Sequence, residues 1–323
     1  MNLNNKISLQ IIIIMLMIVM NTMVNNKMMM WMTLEITTMS FISMTILSKS
    51  LNPSILYFII SFISSTIMFI GLILYPSINM NMLILISIMI KIAMFPFNYW
   101  FNLMSKSINY MNLSTLMTLM KFIPLNIMHL TIEMNQLTML IVLVSMMISP
   151  IMAINKFSLK LILSYSSIHQ TSMMIMIMYM NFYMFIMYFF TYTIITFNLM
   201  MTINNWTNKI KYEYLMSKKT KITFFMMMIM YSYFPPMTTF IMKWSIIENL
   251  LIMNNQLALI SIIIMISSFI MIWSYLNFMN NNIYKYNNFN KMFVMNKKTK
   301  LQKKLFTIHI MTLTSFLYMY INF

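Results

Sequence analysis

The sequence predicts an all-α integral membrane protein of about eleven transmembrane helices, and three observations lead there. Charged residues make up only 8% of the 323 residues, against about 25% in soluble domains. So few charges cannot cover a water-exposed surface, and most of the chain must meet lipid. Apolar runs of about 18 residues or more recur along the chain, the length that spans a bilayer as a helix. The lysines fall between these runs with a one-sided bias, the pattern that orients a membrane protein.

Taken in order, the runs are 8–24, 28–48, 54–74, 80–101, 111–131, 136–153, 157–180, 182–203, 222–250, 256–277 and 305–322. The Asn-rich stretches 204–221 and 277–304 are the long polar connections. Numbering the spans, the N-terminus and the loops after even spans share one side. That side holds Lys6, Lys49, Lys106, Lys156, Lys160 and the clusters within 209–221 and 285–304. The opposite side holds Lys27 alone. A missed or invented span would scramble this asymmetry, so it supports the count as well as the orientation. Residues 1–323 read as a single polytopic membrane domain.

Composition excludes several functions. With no cysteine there is no disulfide framework, thiolate metal site or iron–sulfur ligation. Three histidines, His129, His169 and His309, are too few for a haem or metal cage, so no cofactor and no metal is expected in this chain. The net charge of +17 sits in short loops between apolar runs, which is orientation chemistry rather than nucleic-acid binding. The first apolar run follows Lys6 without a small-residue cleavage site, so no cleavable signal peptide is expected. Fifty methionines beside one glycine and abundant Ile, Asn, Phe, Tyr and Lys indicate an A/T-rich gene in which ATA is also read as Met. That points to an organelle genome of invertebrate type. The methionines are then flexible apolar filler.

Four ionisable groups interrupt the apolar runs: Glu35, Lys91, Lys121 and Lys243. A lysine at the bilayer centre costs a few kcal/mol even on the lenient insertion scale. Lys91 and Lys121 lie near the middle of their runs, too deep to snorkel. Two of the runs also contain proline close to lysine. The fourth reads Lys91-Ile-Ala-Met-Phe-Pro-Phe-Asn-Tyr-Trp100, and the ninth Phe234-Pro-Pro-Met-Thr-Thr-Phe-Ile-Met-Lys243-Trp244. Proline removes a donor and clashes with the preceding turn. Both helices should break, which is tolerated only where the freed carbonyls face protein or water. Spans four and nine run in opposite directions, as an inverted repeat requires. The repeats would cover about 8–131 and about 136–277, with a final helix at about 305–322.

A chain of Glu35, Lys91, Lys121, His169 and Lys243 could relay protons across the membrane interior. Burial disfavours the charged form of such a group, and a nearby opposite charge favours it. Glu35 approaching and leaving Lys91 would therefore switch whether Lys91 holds its proton. The plainer alternative is that these groups bind helices together, and His169, in a Ser-rich helix, could be an interhelical hydrogen-bond partner. His129 and Glu133 read as interfacial, Glu213 as a loop residue among lysines, and Glu248 as a residue late in the ninth span. The five tryptophans lie mostly near span ends, as interfacial anchors do.

At these residues the chain resembles the subunit 2 family of mitochondrial NADH dehydrogenase, respiratory complex I, in its insect-like form. The W-x-x-L-E-I stretch of that family appears as Trp31-Met-Thr-Leu-Glu-Ile36. The block K-x-x-x-A-P-F-H-F-W-F appears as Lys91-Ile-Ala-Met-Phe-Pro-Phe-Asn-Tyr-Trp-Phe101. M-T-W-Q-K-I-A-P-L appears as Met117-Thr-Leu-Met-Lys-Phe-Ile-Pro-Leu125, and Y-S-S-I-N-H as Tyr165-Ser-Ser-Ile-His-Gln170. G-L-P-P-F-x-G-F-x-x-K-W appears as Tyr233-Phe-Pro-Pro-Met-Thr-Thr-Phe-Ile-Met-Lys-Trp244. The five blocks occur in order. The family's glycines beside Pro-Pro are absent, Asn98 replaces a common histidine, and the histidine of the fourth block moves by one residue to His169. One residue is about 100° around a helix.

The resemblance implies an antiporter-like fold with inverted repeats and two broken helices, of eleven spans in metazoan members. It implies a core membrane-arm subunit of an NADH:ubiquinone reductase that pumps protons from matrix to intermembrane space. By position, Glu35 and Lys91 are the family's Glu/Lys pair, Lys121 its central lysine and Lys243 the lysine towards the exit. NADH, FMN, iron–sulfur clusters and ubiquinone are expected in other subunits. Partners would be neighbouring antiporter-like and small membrane-arm subunits and lipids such as cardiolipin, with no nucleic acid. Localisation would be the mitochondrial inner membrane, with the N-terminus and lysine-rich loops in the matrix and the C-terminus in the intermembrane space. The rivals are a stand-alone cation/proton antiporter and a non-conducting structural subunit. The antiporter would want a midplane acid for its cation, and Glu35 is the one candidate; a scaffold would have little reason to keep buried charges.

Overall fold

The computed structural model describes residues 3–212 apart from 25, 75–77 and 134, then Met228, Tyr231, Lys243, Trp244, Ile247, Glu248, Leu250 and Leu251, and residues 258–287. Among these residues there is no strand. In lipid every backbone amide must be satisfied within its own segment or a closed barrel, so long runs of Ile, Met, Leu and Phe become helices. They are α1 (Leu3–Met23), α2 (Lys27–Leu47), α3 (Leu51–Ile73), α4 (Ile78–Ile92), α5 (Tyr99–Ser107), α6 (Tyr110–Met117), α7 (Leu119–Thr131), α8 (Gln136–Ile154), α9 (Leu159–Met180), α10 (Phe182–Tyr212) and α11 (Ala258–Asn287). Two of the described helix starts carry a side-chain cap, the Asn26 side chain accepting from the Met28 amide at 3.1 Å and that of Asn181 from the Tyr183 amide at 3.0 Å.

Helix occupies the first eight predicted spans and the tenth. The ninth span is described only in part, and the eleventh lies outside the described residues. Among the described residues seven helices are long and apolar enough to cross a membrane, the pair α6–α7 counting as one. α9 is long enough but carries a polar run from Ser164 to Ser172, and nearly its whole length is buried. It faces protein rather than lipid, so it needs no apolar exterior. The fourth span is broken, α4 ending at Ile92 and α5 starting at Tyr99. The fifth, expected as one continuous helix, is interrupted too: Thr118, at φ −118° and ψ −84°, separates α6 from α7. Pro124 lies inside α7, where it withdraws a backbone donor from the turn before it.

The chain divides into two compact units, Met1–Phe185 and Ile186–Phe323. In the first, α7 is the hub and packs against α1, α2, α4, α6 and α9. Of its residues only His129 and Leu130 escape full burial. Outward faces of α1, α2, α3 and α8 carry exposed Ile, Leu, Met and Phe such as Ile12, Met39, Phe62 and Leu140, the surface lipid would cover. One buried knot is neutral: Asn126 Nδ2 donates to Asn21 Oδ1 at 2.8 Å, and Asn21 Nδ2 to Thr33 Oγ1 at 3.0 Å. It joins α7, α1 and α2. In the second unit, Tyr192, Tyr231 and Tyr275 form a buried aromatic cluster with ring centroids 6.2 and 5.9 Å apart.

The chain's single glycine, Gly71, lies where α3 meets α4. A Cβ there would come within 2.7 Å of Ile84 Cγ1 and 3.3 Å of the Ile84 amide nitrogen. Ile84 is itself fully buried and has little room to yield. Gly71→Ala should therefore destabilise the bundle by about 1–3 kcal/mol, the range for overpacking, and lower the thermal unfolding midpoint in detergent. An unchanged midpoint would show that α3 and α4 can part without cost.

Candidate functional site

The site is built around the break in the fourth span. α4 ends in a turn where the Ala93 amide donates to the Ile90 carbonyl at 3.2 Å and the Met94 amide to the Met89 carbonyl at 3.1 Å. These are the two bonds of a Schellman cap. The cap needs a left-handed residue, and Ala93 supplies it at φ +63°, a position usually held by glycine. Pro96 follows, the Phe97 amide donates to the Met94 carbonyl at 2.7 Å, and α5 resumes at Tyr99. From α5 the Trp100 indole reaches back and donates to the Ile90 carbonyl at 3.1 Å. One carbonyl of the broken end is thus satisfied by a side chain from the other half of the same span.

Lys91 sits in the last turn of α4, where the helix dipole favours a cation. Its Nζ lies 3.4 Å from Glu35 Oε1 on α2, with the two side chains 5% and 22% exposed. Around the pair, Phe41 of α2 packs edge-on to Tyr57 of α3 at 5.1 Å, and Tyr57 meets Trp100 at 5.9 Å. The aromatic row ties together the elements that bring carboxylate and ammonium together.

Lys121 is treated differently. It is 3% exposed and lies in the first turn of α7, just after the Thr118 break. That end of a helix carries the positive pole, which disfavours a cation. Its ammonium donates to the carbonyl and to Oγ of Ser167, both at 3.3 Å, and lies over the Phe101 ring at 4.7 Å from the centroid. None of these partners is a carboxylate. Lys91 is set at a negative pole beside an acid, and Lys121 at a positive pole among neutral oxygens and a ring.

α9 supplies the polar wall. Ser164 Oγ donates to Asn102 Oδ1 of α5 at 2.8 Å, Ser167 accepts Lys121, and Thr171 Oγ1 contacts Met94 Sδ at 3.9 Å. Positions 164, 167 and 171 recur at helical spacing and share one face. His169 is fully buried on the same helix. It lies two residues from Ser167, about 200° around the axis, whereas Gln170, three residues on, returns to the Ser167 side.

Among the remaining candidates, Lys243 is 3% exposed and helical in the second unit. Beside it the exposed Trp244 donates to Glu248 Oε1 at 2.7 Å. His129 stacks on Phe182 at 4.6 Å. The Pro235–Pro236 break lies outside the described residues. Lys160 donates to the carbonyls of Lys106 and Ile108 and lies 5.0 Å from the Tyr110 ring centroid, so it caps the C-terminal end of α5. Trp100 corrects the expectation of an interfacial anchor, being buried on the Ile90 carbonyl in mid-span, whereas Trp31, near the start of α2, donates to the Ser65 carbonyl at 3.2 Å. Ser167 and Phe101, the partners of Lys121, were not foreseen from the sequence. Phe101 lies inside one of the motif blocks, which was the available signal.

Comparison with known proteins matches residues 76–271 to the family described as NADH:quinone oxidoreductase/Mrp antiporter, TM. The chain is 28% identical over 243 residues to NADH-ubiquinone oxidoreductase chain 2 of Anopheles gambiae, a match covering 69% of this chain and 71% of the relative. It is 30% identical to that of Locusta migratoria, covering 68% and 69%. With that of Rhipicephalus sanguineus the identity is 32%, covering 69% and 74%. Among solved structures, a chain of the Mrp complex from Dietzia sp. superposes with a TM-score of 0.67 at 15% identity, covering 78% of this chain and 55% of that one. This chain therefore spans little more than half of the Mrp chain. A chain of the membrane-bound sulfane sulfur reductase, an archaeal respiratory membrane complex, superposes at 0.73 with 15% identity, covering 90% and 68%. At that identity the structural likenesses bear on the fold alone.

The left-handed Ala93 generates a prediction. A non-glycine residue in that region costs roughly 1–2 kcal/mol, so Ala93→Gly should raise thermal stability by about 1 kcal/mol after the entropy that glycine adds to the unfolded chain. The check is the unfolding midpoint in detergent. A midpoint lower than that of the native chain would mean that the alanine methyl makes contacts worth more than the strain.

Proposed function

The chain belongs to the NADH-ubiquinone oxidoreductase chain 2 family, within the NADH:quinone oxidoreductase/Mrp antiporter membrane proteins, and we propose that it works as a proton-translocating membrane-arm subunit of a respiratory NADH:ubiquinone oxidoreductase. The observation that carries this reading is the Glu35–Lys91 pair at 3.4 Å, seated at a broken helix inside the bundle. Buried Lys121 and Lys243 support it. NADH, FMN, iron–sulfur clusters and ubiquinone belong to other subunits, and this chain receives energy from them as displacement or electric field. Its neighbours are other subunits of the complex, and lipid covers its apolar faces. The membrane is the mitochondrial inner membrane, with the lysine-rich side in the matrix and the C-terminus in the intermembrane space.

The chemistry is electrostatic. Unit charges about 4 Å apart attract by about 4 kcal/mol at the effective dielectric of a protein margin. While Glu35 is close, Lys91 keeps its proton. When the pair separates, that attraction is lost, and Lys91 passes its proton along the hydrated interior to Lys121. Lys121, at the positive end of α7, receives the proton and releases it towards the far side, and Lys243 is the lysine assigned to the exit. Each transfer moves one proton between amine nitrogens, and no bond to carbon changes.

Four variants test this in the assembled complex, with proton pumping and NADH oxidation measured in the same vesicles. Glu35→Gln, Lys91→Ala, Lys121→Ala and Lys243→Ala should each lower pumping tenfold or more, on the order of what a proton-transfer group contributes, without loss of assembly. An assembled Lys91→Ala complex that pumps at the native rate would refute the mechanism. If the chain purified alone as an active exchanger, the antiporter reading would replace this one.

A further inference from the structure

We propose that Phe101 is a positioning residue for the protonated Lys121 and the physical tie between the two lysine sites. The inference rests on the proton-pathway reading above and adds a residue to it. Phe101 is 1% exposed and comes from α5, the second half of the broken span. Its ring lies beneath the Lys121 ammonium, 4.7 Å from centroid to nitrogen. An aromatic face carries negative quadrupole charge, and a desolvated cation gains most from it. Lys121's other contacts are the two oxygens of Ser167, and the three together form a neutral cradle for a charge. The ring attracts the ammonium and gives little to the neutral amine, so it acts on one protonation state only.

The position of this ring depends on the break. Trp100 precedes Phe101, and the two rings meet edge to face with centroids 5.7 Å apart. The Trp100 indole is bonded to the Ile90 carbonyl, one residue before Lys91. A shift at the end of α4, where Lys91 meets or leaves Glu35, moves Trp100 through that bond and Phe101 through the shared backbone. The place of the ring beneath Lys121 is thereby tied to the state of Lys91, with no need for the two ammonium groups to touch.

The test uses the assembled complex and four variants. Phe101→Leu and Phe101→Met keep volume but remove the ring face, Phe101→Tyr keeps the face, and Lys121→Ala is the control. The readout is the proton-pumping rate at matched NADH oxidation. Phe101→Leu and Phe101→Met should slow pumping about tenfold, the scale of a desolvated cation–π contact, while Phe101→Tyr stays within about twofold of native. Native pumping in Phe101→Leu or Phe101→Met, with Lys121→Ala silent, overturns this inference alone. Native pumping in Lys121→Ala overturns the reading beneath it. Failure of both ring-less variants to assemble, or a Phe101→Tyr loss equal to theirs, also overturns the inference, since the ring would then be packing.

Discussion

A positive charge held away from water must find oxygen or an aromatic face nearby, and the bundle is arranged around that requirement. Lys91 is met by a carboxylate and by the carbonyl pole of the helix it ends. Lys121 is met by the oxygens of one serine and the face of one phenylalanine. Each solution forces the backbone. α4 must stop near Lys91 to offer its carbonyl end, and a stopped helix leaves carbonyls that only protein can satisfy. Trp100 takes one of them, which is why an indole is buried in mid-span rather than seated at the membrane surface. α9 gives up the apolar exterior of an ordinary span to provide hydroxyls, and other elements enclose it as a result.

The gene's composition shapes how these demands are met. With one glycine in 323 residues, left-handed caps fall to residues that tolerate them poorly. Ala93 ends α4 and Lys49 ends α2 at φ +63° and +62°, and the same pair of backbone bonds recurs at both, from Lys49 to Ile46 and from Ser50 to Thr45. Glycine survives where a methyl would collide with the buried Ile84 side chain, at the α3–α4 crossing. Elsewhere methionine fills the space. Met94 is the instructive case: it closes the cap below Lys91 and also takes weak contacts from Ser145 and Thr171 through its sulfur, a role a soft, flexible side chain can fill.

Much of this was legible in the sequence. Apolar length located the first eight spans and the tenth, because lipid enforces helix regardless of local propensity, although α10 runs to Tyr212 and α11 to Asn287, well past the expected ends at 203 and 277. Pro96 beside Lys91 marked the first break, because proline's effect on a helix is local. The meeting of Glu35 with Lys91, 56 positions apart, could be raised from the sequence as a conjecture and was assigned through resemblance, since no spacing rule links two helices. The interruption at Thr118 was missed although Pro124 was in view, because a proline acts on the carbonyl four residues before it, here Met120, and does not mark Thr118. Partners of Lys121 were invisible for the same reason: Ser167 lies in a Ser-rich run that reads equally well as interhelical glue. The shift of histidine to position 169 could be seen, and helix geometry shows its consequence, that Gln170 rather than His169 shares the Ser167 side.

The strongest argument against a purely structural role comes from the same bundle. Where α1, α2 and α7 need fastening, the chain uses Asn21, Thr33 and Asn126, a neutral knot whose groups satisfy one another. Such a knot binds helices without the desolvation penalty of a charge. Had adhesion been the requirement at Glu35 and Lys91, amides would have met it, and replacing a buried ion pair by neutral groups is often neutral or stabilising. The chain instead sets an ion pair at a break that could have been a continuous helix, and a lysine at the pole of α7 that resists it. Of the two lysines, Lys121 is the one placed against its helix dipole. Under the proposed function they would be a pair of sites whose hold on a proton changes with small displacements, a property that a proton-moving subunit requires and a scaffold does not.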